Sequence, residues 1–216
     1  MKKILFAALT AVLLLLSIAA SIEFIKLIKN YSINSKIELF FLIGFITYLV
    51  IHIVFYKPVF IHVMSHELTH MLWAALFGGK TKELRVSREG GRVMISKSNF
   101  LVSLAPYFFP LYAFIFVVIY IIADKKFLPY IAFFVGASLA FHIALTLYSL
   151  TINQKDLQEE SNVVFSILFV IFMNIIIIIL ILSVLSDKIS FLPFVKSIFI
   201  RSFEMIKWVI TKVSGR

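Results

Sequence analysis

The chain has 216 residues, 62% of them hydrophobic and 24 of them phenylalanine, with a mean hydropathy of +1.04, and this composition excludes a water-soluble domain and describes a polytopic membrane protein. It has no cysteine, so disulfides, thiolate metal sites and cysteine nucleophiles are excluded. The formal net charge is +10, but the cations sit in short loops and the C-terminal tail, which suits contact with anionic lipid headgroups and argues against nucleic acid.

Apolar runs at about 4–22, 39–56, 59–77, 100–122, 127–150 and 162–186 are each near the ~20 residues that cross hydrocarbon, and they predict an all-α membrane protein of about six transmembrane helices. In the first run, Lys2 and Lys3 precede Ile4 to Leu16, and small residues follow at Ser17, Ala19 and Ala20. Residues 1–22 therefore read as a signal anchor or signal peptide. Residues 23–186 form the membrane core and 187–216 a tail. The second run contains His52, for which a hydrogen bond to a neighbouring helix is the ordinary role.

The third run carries His66-Glu67-Leu68-Thr69-His70. On a helix, histidines four residues apart face the same way and reach one zinc ion, while the glutamate stands beside the attacking water. Glu67 is also the one carboxylate inside any of the six runs, and ionisable groups in hydrocarbon are functional candidates because they are costly there. His62 lies one turn earlier. Successive turns advance by about 6 Å while zinc–nitrogen bonds are about 2 Å, so His62 is expected to support the site or pack beside it instead of ligating. Ser65 and Thr69 are expected to bond helix carbonyls.

After Gly78-Gly79 the composition changes. Leu84 and Val86, then Val93 and Ile95, alternate with polar residues, and Glu89-Gly90-Gly91 supplies a turn, which predicts a β-hairpin within 80–98. Its free edge can hold an extended peptide by strand addition, and a basic lipid-facing connector is the plainer alternative. The fourth run opens with Pro106 and Pro110, which break helical hydrogen bonding. His142 lies in the fifth run.

Zinc requires a third protein ligand. If six spans alternate, the 151–161 loop shares a face with the 78–99 loop, while Asp124 lies on the opposite face. Asp156 is then the leading carboxylate, Glu159 and Glu160 follow, and His142 is the nitrogen alternative; an ordinary loop aspartate remains open for Asp156. Asn153 and Gln154 are candidates to line a polar cleft. In the tail, Lys196, Arg201, Glu204, Lys207 and Lys212 share one face of a helix, and Phe194, Ile198, Phe199, Met205, Ile206, Val209 and Val213 share the other. This predicts an amphipathic helix in the membrane interface, with packing onto the core as the alternative.

With these elements in place, the chain resembles the site-2 protease family of intramembrane zinc metalloproteases, the M50 class. The resemblance covers about residues 59–160 and rests on the His66 to His70 motif, the Gly78-Gly79-Lys80 exit, Ala105-Pro106 and an aspartate two spans later. It implies zinc held by His66, His70 and Asp156, Glu67 as the catalytic base, and cleavage in or near transmembrane segments of membrane-protein substrates. In that family the aspartate sits in Leu-Asp-Gly, whereas here the local sequence is Lys155-Asp156-Leu157. A catalytically inactive membrane module that keeps the same fold is accordingly the alternative, and a transporter with a midplane metal site would need more polar groups in the spans than this chain carries. Counting Lys2 and Lys3 but not the tail, the hairpin side carries ten Lys and Arg against five on the other side, which, with the family resemblance, favours a cytoplasmic hairpin; the N-terminal lysines and the basic tail argue the reverse. The expected location is an integral, multi-pass position in the cell membrane.

Overall fold

The computed structural model describes residues 2–55, 58–87, 90–151 and 162–215. In chain order these form α1 (Lys2–Asn30), α2 (Lys36–Val54), α3 (Val59–Leu76), β1 (Thr81–Val86), β2 (Gly91–Ile95), α4 (Phe100–Phe108), α5 (Leu111–Ile122), α6 (Leu128–Thr151), α7 (Val163–Leu185) and α8 (Phe191–Val213). Among the described residues, four helical segments, Ile4–Asn30, Lys36–Val54, Lys125–Leu150 and Val163–Leu185, are long and apolar enough to cross a membrane. The pair α4 and α5, bent by 72°, is a fifth if it forms one span. By length and composition the chain is thus a multi-pass membrane protein.

Six spans are expected from the runs, and α3 is the one whose composition falls short. Three histidines, Glu67, Ser65 and Thr69 dilute its apolar residues. The fourth run is bent at Phe109-Pro110, because neither Pro106 nor Pro110 can donate to the helical ladder. α1 continues past residue 22 to Asn30 as one helix.

The chain divides into two compact units, one comprising residues up to Ser32 with those from Val164 onward, the other Ile33–Val163. In the first, Ala19 and Ala20 of α1 are fully buried among Ile175 and Ile179 of α7 and Phe194 and Ile198 of α8. Alanine on α1 lets these helices approach closely. Arg201 Nε donates to Glu23 at 2.9 Å, and Tyr31 Oη donates to Ser186 at 3.0 Å. The tail forms its helix, and Phe194, Ile198 and Ser202 turn inward at four-residue spacing. Its first half therefore packs onto this unit's core, while Phe199, Ile206, Trp208 and Val209 remain exposed.

In the second unit, α2 and α6 form the most extensive helix pair. A Cβ on Gly44 would collide with the Phe133 carbonyl, and one on Gly136 with the Phe41 carbonyl, so the two backbones touch where both glycines stand. Ser35 and Glu38 start α2 with a reciprocal capping box. α3 ends in a Schellman motif: Gly79 N–H donates to Ala74 O at 2.7 Å and Gly78 N–H to Ala75 O at 2.9 Å. Gly78 takes φ 70° there, a left-handed conformation that glycine adopts without strain. The chain then reverses into the predicted hairpin, which packs on α3. Leu84 pairs with Val93 and Val86 with Gly91, and a bulge falls between Thr81 and Glu83. Val86, Val93 and Ile95 are half-buried, whereas Leu84 is exposed.

Candidate metal centre

The helix α3 carries His66, Glu67 and His70 on adjoining positions, with Glu67 and His70 buried and His66 half-buried. The two Nε2 atoms of His66 and His70 lie 3.2 Å apart. Two zinc–nitrogen bonds of about 2.0–2.1 Å at a tetrahedral angle place their nitrogens about 3.3 Å apart, so this pair has the spacing that one shared ion needs. The i, i+4 relation brings the rings together, with centroids 4.8 Å apart.

His70 Nδ1 lies 2.9 Å from the backbone carbonyl of Val102 in α4. A carbonyl only accepts, so Nδ1 carries the proton, and the neutral ring presents the Nε2 lone pair toward His66. The carbonyl is delivered by a well-anchored turn: Asn99 caps α4, its side chain accepting from the Val102 N–H at 2.9 Å. Val102 is fully buried. Tyr107 meets the His66 ring edge-on at 5.4 Å between centroids, and its own carbonyl accepts from Thr146 Oγ1 of α6 at 3.4 Å. The histidine pair therefore sits against α4.

Glu67 is covered from the other side by the hairpin. A Cβ on Gly91 would lie 2.7 Å from Glu67 Oε1 and 2.5 Å from Val63 Cγ1, so the start of β2 approaches the carboxylate as closely as a residue without a side chain permits. His62 takes a supporting position. Its Nε2 is 3.3 Å from Ser149 Oγ of α6, and its ring lies 6.2 Å from that of His66 and 6.5 Å from that of Phe141. Thr69 Oγ1 donates to Ser65 O at 2.7 Å, as expected for a helical hydroxyl. His52 finds its partner within its own helix, Tyr48 Oη at 3.3 Å, and not on a neighbour.

His66 and His70 fit two of the ligand positions of a zinc ion. Among the described residues, no group of three His, Cys, Asp or Glu side chains converges on a point that would hold a metal ion. His142 is buried on α6 without completing such a group. Asp156, Glu159, Glu160, Asn153 and Gln154 lie outside the described residues. Asp124 precedes the short 3-10 turn that leads into α6. Two contributors went unread in the sequence: the Val102 carbonyl, because every residue carries one, and Gly91, whose place in the Gly90-Gly91 pair explains it equally well as a turn residue. Comparison with known proteins found no matching family model, no matching curated protein and no matching solved structure.

Proposed function

We propose that this protein is an intramembrane zinc metalloprotease, similar in site chemistry to the site-2 protease family, which hydrolyses peptide bonds in or near the transmembrane segments of other membrane proteins. The observation that carries the proposal is the 3.2 Å spacing of the His66 and His70 Nε2 atoms, with His70 Nδ1 held by a carbonyl and Glu67 next to His66 in the sequence. His66 and His70 hold the ion, and Asp156 is the proposed third ligand. A bound zinc supplies a Lewis acid for the scissile carbonyl and lowers the pKa of a water toward ~7. Glu67 removes the proton from the attacking water and returns it to the departing amine, so that one peptide bond and one water become a carboxylate and an amine. Val102 holds the His70 ring throughout. The hairpin edge takes the substrate as an added strand, which delivers an extended backbone beside the metal centre. Water has to reach Glu67 and His70, and the proposed route is a polar cleft on the cytoplasmic side of the cell membrane.

The test is reconstitution into vesicles with a panel of membrane-anchored substrates. Cleavage should appear with zinc, disappear on chelation and return when zinc is restored. A zinc-loaded protein that cleaves no member of a broad panel would move the assignment to a non-catalytic membrane module of the same fold.

A further inference from the structure

In a regular α-helix the carbonyl of residue i accepts the N–H of residue i+4. For Val102 that donor belongs to residue 106, which is a proline inside α4 and has no N–H. The helix therefore cannot supply the usual partner to this carbonyl. Val102 is fully buried, so water is a poor substitute, and a buried carbonyl without a donor costs free energy. The His70 Nδ1–H occupies the position at 2.9 Å.

We infer that Pro106 is a positioning residue for the metal centre: by withholding the intrahelical donor it leaves the Val102 carbonyl to the His70 Nδ1–H, and this fixes the tautomer in which Nε2 faces His66. The inference deepens the metalloprotease reading and rests on it for the role of the histidine pair. An amide at 106 would compete for the same carbonyl and, by closing the ladder, draw that oxygen along the axis of α4 and away from α3. The proline thus acts from four residues beyond its target, through a backbone atom.

The experiment uses the full chain in bilayers, with 15N spectra of the His70 imidazole in its neutral form and titration with Zn2+ and Co2+. Pro106→Ala restores the donor. Its His70 should lose the wild-type preference for Nδ1–H, and its metal dissociation constant should rise about 10–100-fold, the range typical for loss of a partner that orients a ligand. Lactic acid in place of Pro106, introduced by nonsense suppression, has neither ring nor donor and should keep the wild-type tautomer and affinity. Pro110→Ala is the control and should leave both unchanged. The inference is overturned if Pro106→Ala keeps the wild-type tautomer and affinity, or if the lactic acid protein loses them as alanine does. Should the alanine protein fail to fold, the lactic acid protein decides alone, by keeping or losing the wild-type tautomer. A wild type that binds no metal would defeat the metalloprotease reading, while the tautomer comparison would still decide the role of Pro106.

Discussion

At the scale of single residues, the two ring nitrogens of His70 have separate duties, Nδ1 to a backbone carbonyl and Nε2 toward His66. Each histidine should thus be needed for metal binding. Purified protein is expected to hold about one zinc per chain, and His66→Ala or His70→Ala should empty the site while the protein stays in the membrane. Metal analysis that finds full occupancy in both variants would mean the site is elsewhere. For the third ligand, Asp156→Asn should weaken zinc binding more than Asp124→Asn; equal and negligible effects would remove Asp156, and a large loss in His142→Ala would transfer the role to that imidazole. The pairing of His66 with His70 was legible because four-residue spacing and residue type together define it. Its support was not, since a backbone carbonyl has no residue identity to read, although a proline four residues beyond Val102 is a trace of it.

At the scale of elements, the α2–α6 pair makes the firmest statement about stability. Gly44 and Gly136 each face the partner's backbone, which cannot turn aside as a side chain can. Gly44→Ala and Gly136→Ala should each cost about 1–3 kcal/mol by overpacking, and the double variant should cost less than the sum, because the first methyl already separates the helices. Unfolding in detergent measures this, and strictly additive or negligible costs would contradict the close approach. The hairpin was legible from its alternation, but its seat on α3 was not. Gly91→Val should lift β2 from Glu67 and Val63, making 80–98 more susceptible to proteolysis while zinc is retained; unchanged susceptibility would place the strand elsewhere. The break at Phe109-Pro110 follows from proline chemistry, whereas its 72° angle depends on packing that no local pattern encodes. Similarly, the amphipathic tail was legible as a helix. That Phe194, Ile198 and Ser202 turn toward a core built from α1 and α7 depends in part on Ala19 and Ala20, at the far end of the sequence.

At the scale of the whole molecule, composition carried the membrane assignment, because burying 62% hydrophobic residues in so small a chain exceeds what a water-facing fold can do. The six spans expected from the runs are not all met among the described residues, because α3 trades apolar residues for three histidines and Glu67. That trade is the functional clue, since polar groups among apolar helices are retained at a cost. The claim that this cost serves hydrolysis rests on Glu67 as the proton carrier, and one comparison tests it most directly: zinc content and cleavage of a membrane-anchored substrate by wild type and Glu67→Gln in the same vesicles. The amide keeps the shape of the carboxylate without its basicity, so zinc and fold should be retained and cleavage should fall by at least about 10²-fold, within the 10²–10⁴ that general acid–base catalysis typically contributes. A Glu67→Gln protein that holds zinc and cleaves as fast as wild type would contradict the account.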